Sequence, residues 1–432
     1  RPGVLRPTSE INRVIGAKPG HLSMCRVCPA GPRPGMSIDV IPACAGLGVF
    51  LSCPVLVTEC APLRHHRAMK TRNTRTTAAV LQRTSASIRC ACALLAGLCV
   101  SLGAVAQTAP ARAPQAADAN SWTFGLDNDW LALSHRDADY SGGFLFTMSG
   151  PASAQFLLSL DPVLGFIDGL WMPGSAPTSK AALQFGAQAY TPKDKKSRDV
   201  VRDDRPYAGL FSLTSTRMTV AGEADPVWSS AFTLGLLGTG LGKNLHRGFH
   251  RLIGSDTPNG YDHQISDGGE PTLKYTVRRQ ALALDSRDVL GQRADLKWGV
   301  EGSLGYITEG ALLVSGRFGR FSTPWWSLYP ERSEYYAPPS SKYGGDLYLM
   351  YGVGARVRGY NSLIQGQFRD SDHTLGGSKL ETFIGEAYAG VTWGITSSTS
   401  LSYLVRYQSS EIKHGTGSRD IYNGSLYLNI GY

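Results

Sequence analysis

Two histidines open the chemistry of this chain. His246 and His250 stand four residues apart in GKNLHRGFHRLIGSDTPNGYDHQ, residues 242–264. On a helix that spacing puts both rings on one face. A zinc pair is one reading, but Arg247 stands where H-E-x-x-H needs its glutamate, which argues against a zinc hydrolase. The other reading makes His250 a general base, since imidazole titrates near neutral pH, with Asp256 six residues on as its orienting carboxylate. Asp127-Asn128-Asp129 gathers hard oxygen ligands of the kind calcium prefers, although such runs more often make turns. Asp139-Tyr140-Ser141-Gly142-Gly143 offers a hydroxyl without the G-x-S-x-G elbow of a serine hydrolase. Lys193, Lys195, Lys196 and Arg198 could meet a phosphate, lysine as a point charge and arginine as a fork, or simply form a solvated loop.

These residues sit between segments that alternate apolar and polar side chains. Strands are expected near 121–129, 142–150, 181–191, 208–220, 227–238, 272–284, 294–307, 309–320, 346–359, 380–394, 398–411 and 422–432. Leu347-Tyr348-Leu349-Met350-Tyr351-Gly352-Val353 shows the period of two that gives a strand one apolar face. Many segments have the roughly ten residues that a tilted strand needs to cross a bilayer. A bilayer leaves unpaired backbone groups unsatisfied, so spanning strands must close into a barrel, in bacteria with an even strand number. The expected fold is therefore all-β: one transmembrane antiparallel barrel of about twelve strands over 121–432. A short helix over 243–253 carries Leu245, Phe249 and Leu252 on one side. Trp325, Trp326, Tyr329, Tyr335 and Tyr336 fit an interfacial aromatic girdle. A soluble β-sandwich is the competing architecture.

Composition divides the chain before the first strand. Thirteen Lys/Arg stand against three Asp/Glu in residues 1–106; from totals of 43 and 34 this leaves 30 basic and 31 acidic residues beyond. The basic excess belongs to the leader, so no nucleic-acid partner is expected. All eight cysteines, Cys25 to Cys99, also precede residue 107, as suits export to an oxidising compartment. The pair Cys25-x-x-Cys28 lacks a second pair and makes a poor zinc site. From Met69 a basic stretch leads to the apolar run Cys90–Val105 and then Ala104-Val105-Ala106, the order of a signal peptide cut after Ala106. Residues 1–68 read as an over-extended start, 69–106 as the signal peptide and 107–120 as a flexible tether.

Taken together, the motifs resemble the outer-membrane lipid A 3′-O-deacylase family in order and spacing. They are Asn128-Asp129, Asp139-Tyr140-Ser141-Gly142-Gly143, Tyr190-Thr191-Pro192, Asp204-Arg205-Pro206-Tyr207-Ala208-Gly209, His250-Arg-Leu-Ile-Gly and Gly260-Tyr261-Asp262-x-Gln264. The resemblance covers about 121–432 and is densest over 121–275. It implies a barrel at the outer membrane that hydrolyses the 3′-acyloxyacyl ester of lipid A with calcium, the site lying at the extracellular rim. Carried over by position, it implies His250 as the base that activates water, with Asp256 beside it. Asn128 and Asp129 become active-site and calcium residues, and Ser141 a hydroxyl position. Lys195 or Lys196, with Tyr140, would be on the substrate. His246 departs from the pattern, since relatives often carry Gln there. Expected partners are lipid A or lipopolysaccharide and outer-membrane lipid, with the barrel a monomer. The rival functions are a non-catalytic pore or structural barrel, and an outer-membrane phospholipase using Ser141.

Overall fold

The computed structural model describes residues 120–132, 138–170, 179–253, 256–290, 292–327 and 345–432. The leader, residues 1–68 and the tether up to residue 119 lie outside the described residues, as do Tyr329, Tyr335 and Tyr336. Among the described residues, twelve strands run β1 Ser121–Asn128, β2 Asp139–Ser149, β3 Ser179–Thr191, β4 Ala208–Thr219, β5 Val227–Leu237, β6 Glu270–Val289, β7 Gln292–Gly305, β8 Ile307–Arg320, β9 Leu347–Asn361, β10 Phe383–Gly394, β11 Thr399–Gln408 and β12 Ile421–Gly431. Each pairs antiparallel with its chain neighbours, and β12 returns to β1 with Ser121 opposite Gly431, closing the barrel. No helix among the described residues is long and apolar enough to cross a membrane.

Period-two patterning turns into two faces. Trp122, Phe124 and Leu126 of β1 are exposed on the outer wall, while Ser121, Thr123 and Asp127 between them are buried inside. Every strand expected from the sequence is present, with shifted ends. The start of β2 lies three residues earlier than expected, at Asp139, because a bulge between Tyr140 and Gly142 lets it pair on with β3.

The aromatic girdle needs correcting. Trp325 and Trp326 sit at the barrel end that holds both termini, buried at 4% and 1% exposure with Met218, Val227 and Tyr348 in an apolar cluster inside the barrel. Trp325 Nε1 donates to Glu223 O at 2.6 Å, which anchors the indole there. These indoles are a plug. Exposed aromatics near the strand ends include instead Trp122, Trp228, Trp393 and Tyr432 at the termini end and Trp130, Phe383 and Tyr422 at the other.

Above the plug the lumen holds charge. Cross-strand partners Arg278 and Glu301 pair, and Arg356 reaches Glu301 at 3.0 Å, Glu309 at 3.2 Å and Glu386 at 2.6 Å. Arg358 continues to Glu309 at 2.8 Å and to Glu411. Arg205 (3.4 Å from Glu411) and Arg419 (2.7 Å from Asp139 and 2.9 Å from Asp204) carry the ladder to the loop end. Buried charges survive only when paired in this way. Beside the ladder lies a cavity of about 170 Å³ lined by residues that include Tyr140, Tyr190 and Arg406.

Candidate active site

Beyond the two strand ends at Asn128 and Thr191, the chain folds over the outside of the wall. Helix α1, Asp161–Gly169, belongs to the opposite end of the barrel. Helix α2, Gly240–Ile253, starts three residues before the expected span and packs on β3 and β4. Gly242 faces Phe211 of β4, where a Cβ would stand 3.5 Å from the ring. At the end of β5, Gly238 has φ of 65°, and the Ile265 and Ser266 carbonyls lie where a side chain would be. That turn launches α2 back over the wall, and Ile265 N to Tyr207 O at 2.8 Å closes the loop again.

The helix buries its histidines. His246 and His250 are 9% and 2% exposed, whereas Leu241 and Leu245 on the other side are more than half exposed. His250 Nδ1 lies 2.7 Å from Asp256 O, His250 Nε2 lies 2.9 Å from His246 Nε2, and His246 Nδ1 lies 2.6 Å from Tyr261 Oη. The carbonyl can only accept, so His250 carries its proton on Nδ1. Neutral His250 then accepts at Nε2 from His246, and His246 accepts at Nδ1 from the Tyr261 hydroxyl. Burial lowers the proton affinity of both rings. His250 and Lys195 add to this in His246, bringing it to about 3, and Lys195 adds to it in His250. The pair is neutral at physiological pH.

His250 is oriented by a different atom from the one expected. The Asp256 carboxylate is exposed and pairs with Lys196 Nζ at 3.0 Å, and the main-chain carbonyl of Asp256 takes over the orienting role. A short acidic side chain on the surface gains more from a solvated lysine than from reaching inward. Lys196 thus belongs to the rim, and Lys195, 6% exposed, belongs to the site. Its main-chain oxygen accepts from Tyr207 Oη at 2.8 Å and from Asn259 N at 2.9 Å, and the Tyr207 ring packs 4.8 Å from Tyr261. One tyrosine therefore fixes the lysine and the other the histidines. Tyr207 and Tyr261 lie in the motifs Asp204–Gly209 and Gly260–Gln264, but nothing in the sequence ties either hydroxyl to Lys195 or to the histidines.

Asp129 follows β1 and is 1% exposed. Burial raises its carboxyl to about 7 against the pull of the Ala138 and Trp130 amides and of Lys195. Burial conversely lowers Lys195, with Asp129 and Asp256 opposing. Asn128 holds the turn: its Nδ2 donates to Ser141 O at 2.8 Å and its Oδ1 accepts from Trp130 N at 2.8 Å. Ser141 Oγ pairs with Thr191 Oγ1 at 2.6 Å. Tyr140 is not brought to the site. The bulge that turns Ser141 outward leaves Tyr140 inside the barrel, its Oη donating to Asp127 at 3.1 Å.

Among the described residues, a hard cation finds one suitable side chain here. Asp129 offers a desolvated carboxylate that a divalent ion would hold ionised, whereas the Asn128 amide is committed to the chain at both ends. Among the described residues no three His, Cys, Asp or Glu cluster as a metal site, so a calcium ion would need main-chain carbonyls and water besides Asp129.

A closed twelve-stranded barrel with a buried imidazole pair on its outer wall defines the class: an outer-membrane β-barrel protein with a wall-mounted site. The family model described as "Outer membrane protein LpxR" matches residues 94–432, and the chain belongs to that family, the lipid A 3′-O-deacylases that its motifs resemble. LpxR from Salmonella typhimurium is similar in structure at 16% identity, covering 72% of this chain and 100% of that one with a TM-score of 0.57. Far looser likenesses extend to the translocator domain of autotransporter NalP from Neisseria meningitidis (10% identity, 81% of this chain, 97% of that one, TM-score 0.27). The beta domain of the Bordetella autotransporter Brka is comparable (9%, 73%, 98%, TM-score 0.34). A comparison with curated proteins finds no match.

Proposed function

We propose that this protein hydrolyses the 3′-acyloxyacyl ester of lipid A in the outer membrane, with His250 as the base that activates water. The observation that carries the reading is the imidazole relay: Nδ1 of His250 is pinned on a carbonyl, so the lone pair of a neutral ring is aimed from Nε2. In the resting site the His246 N–H occupies that lone pair. Water takes its place when substrate binds, His250 Nε2 accepts the water proton, and the hydroxide attacks the ester carbonyl. The ester C–O bond then breaks, and the alkoxide leaving oxygen takes the proton back from His250. Lys195, buried beside the histidines, supplies positive charge for the developing oxyanion or a lipid A phosphate. Calcium, held through Asp129, would supply Lewis-acid stabilisation of the same charge.

The placement suits a lipid substrate. Leu241 and Leu245 project from α2 away from the wall, so acyl chains can reach the site from the membrane side. We place this rim at the extracellular end, and we take the barrel to be a monomer exported through its signal peptide. Two observations weigh against the rivals. The buried Arg–Glu ladder crosses the lumen that a pore would need open. Ser141 spends its hydroxyl on Thr191, not on an imidazole that could activate it as a phospholipase nucleophile.

The test is mass spectrometry of lipid A from cells expressing the full chain or its His250→Ala variant with calcium present. Loss of the acyloxyacyl group with the parent chain alone is the expected result. Unchanged lipid A in both, with the barrel folded in the outer membrane, would sink the proposal.

A further inference from the structure

Helix α1 lies in the long connection between β2 and β3, and everything it holds is on the outer wall. Arg217 faces Ser230 across β4 and β5, and Phe232 faces Tyr275 across β5 and β6. The same face carries Leu234, Leu236 and Leu273, all more than 40% exposed, so these positions point outward. Arg217, Ser215, Ser230 and Tyr275 thus make a polar seam on a wall that is otherwise apolar. Helix α1 covers that seam. Asp161 grips Arg217 at 2.7 and 3.2 Å, Asp168 accepts from Ser230 Oγ at 2.6 Å and Tyr275 Oη at 2.7 Å, and Leu160 N donates to Ser215 Oγ at 2.8 Å.

The local sequence explains the helix. Pro162 sits in its first turn, where a missing N–H costs nothing, and Asp161 complements the helix N-terminus. Its two faces have opposite chemistry. Leu164 and Asp168 are buried on the wall, at 0% and 1% exposure, while Val163, Phe166 and Leu170 form an outer stripe at 44%, 69% and 70%. Leu157 and Leu158 just before it are exposed at 93% and 49%. The seam lies on the barrel side of Trp228, one of the exposed aromatics at the termini end, and so within the lipid-facing band.

We infer that α1 is a membrane-embedded helix whose outer stripe sits among the acyl chains of the leaflet surrounding the termini end of the barrel. An arginine facing lipid is costly, and a carboxylate brought to it removes that cost only if the helix bearing it is itself apolar outward. Continuity of the stripe with the barrel's exposed band identifies lipid as the occupant. The helix closes the seam where the wall carries Arg217.

All cysteines precede residue 107, which makes site-directed labelling clean. The experiment places a nitroxide on Phe166→Cys in the full chain, purified from outer membranes and returned to phosphatidylethanolamine–phosphatidylglycerol vesicles. Leu349→Cys on the outer wall and Asp370→Cys in an exposed loop serve as references, and the unsubstituted chain supplies the leader background. Power-saturation electron paramagnetic resonance should show oxygen colliding with position 166 as often as with 349, and a water-soluble nickel chelate excluded from both. Nickel access at 166 equal to that at 370 would overturn the inference in favour of an aqueous helix. Spin–spin broadening at 166 would overturn it in favour of a second copy of the chain.

Discussion

At the scale of single residues, His246 sets the hydrogen bonding of the proposed base. An imidazole there donates to His250 Nε2 and accepts from Tyr261, two bonds that a glutamine amide can also make, with its N–H toward His250 and its carbonyl toward the tyrosine. His246→Gln should therefore keep deacylation of lipid A vesicles within a few-fold of the parent, while His246→Leu, which makes neither bond, should lower it by about tenfold or more. His250→Ala should lose about 10²–10⁴-fold, the ordinary worth of a general base. Equal losses for His246→Gln and His246→Leu would mean the ring serves only as packing. The pH profile follows from the direction of the His250 shift. Burial and Lys195 hold it below 6.5, so the basic form persists as pH falls, and the acid limb of kcat/KM should lie below 6.5. A limb at or above 6.5 would exclude His250 as the group that titrates.

Elements were legible wherever their pattern was periodic. All twelve strands and the helix of the site could be read from alternation and from the four-residue histidine spacing, because a lipid-facing wall enforces period two more strictly than a soluble sheet does. The bulge at Ser141 was not legible, and with it went the side of the wall on which Tyr140 lies: one inserted residue flips every assignment beyond it. The orienting carbonyl of Asp256 left no trace either, since a main-chain oxygen has no residue type. Helix α2 is held to the return segment by Arg247, whose Nε donates to Pro258 O at 2.9 Å, and by the Tyr261–His246 bond. Its stability should follow His246. That ring is neutral in the folded loop down to about 3 but takes a proton near 6.5 once the loop opens. The contribution is therefore full above 6.5 and is lost as pH falls from 6.5 toward 3. Hydrogen exchange of the amides of 240–253, corrected for intrinsic rates, should show protection falling through that window, with exchange in β3 and β4 unmoved. Tyr261→Phe should raise opening of the same segment by about fivefold at neutral pH, the worth of roughly 1 kcal/mol for one hydrogen bond.

For the whole molecule, the barrel divides its interior by chemistry: an indole plug at the termini end, an ion ladder above it, and the site outside. That division lets the interior be packed and paired while the proposed active face stays in reach of lipid, and it makes two residues far from the site decisive for stability. Trp326→Ala would open a hole in the plug and should cost about 3–5 kcal/mol, measured as a lowered midpoint of urea unfolding in vesicles. Arg356 is the sharper case. It is 1% exposed and touches Glu301, Glu309 and Glu386, so Arg356→Met keeps the volume but leaves three carboxylates around one missing charge. Breaking a buried pair from one side costs about 3–5 kcal/mol, against 1 kcal/mol or less for an exposed pair such as Lys196 and Asp256. Arg278 and Arg358 remain on two of those carboxylates, so the loss should fall mainly on Glu386. Unfolding midpoints of Arg356→Met and Lys196→Ala in the same vesicles separate the two cases. A barrel that loses no more stability from Arg356→Met than from Lys196→Ala would show that water already fills the lumen and screens the ladder.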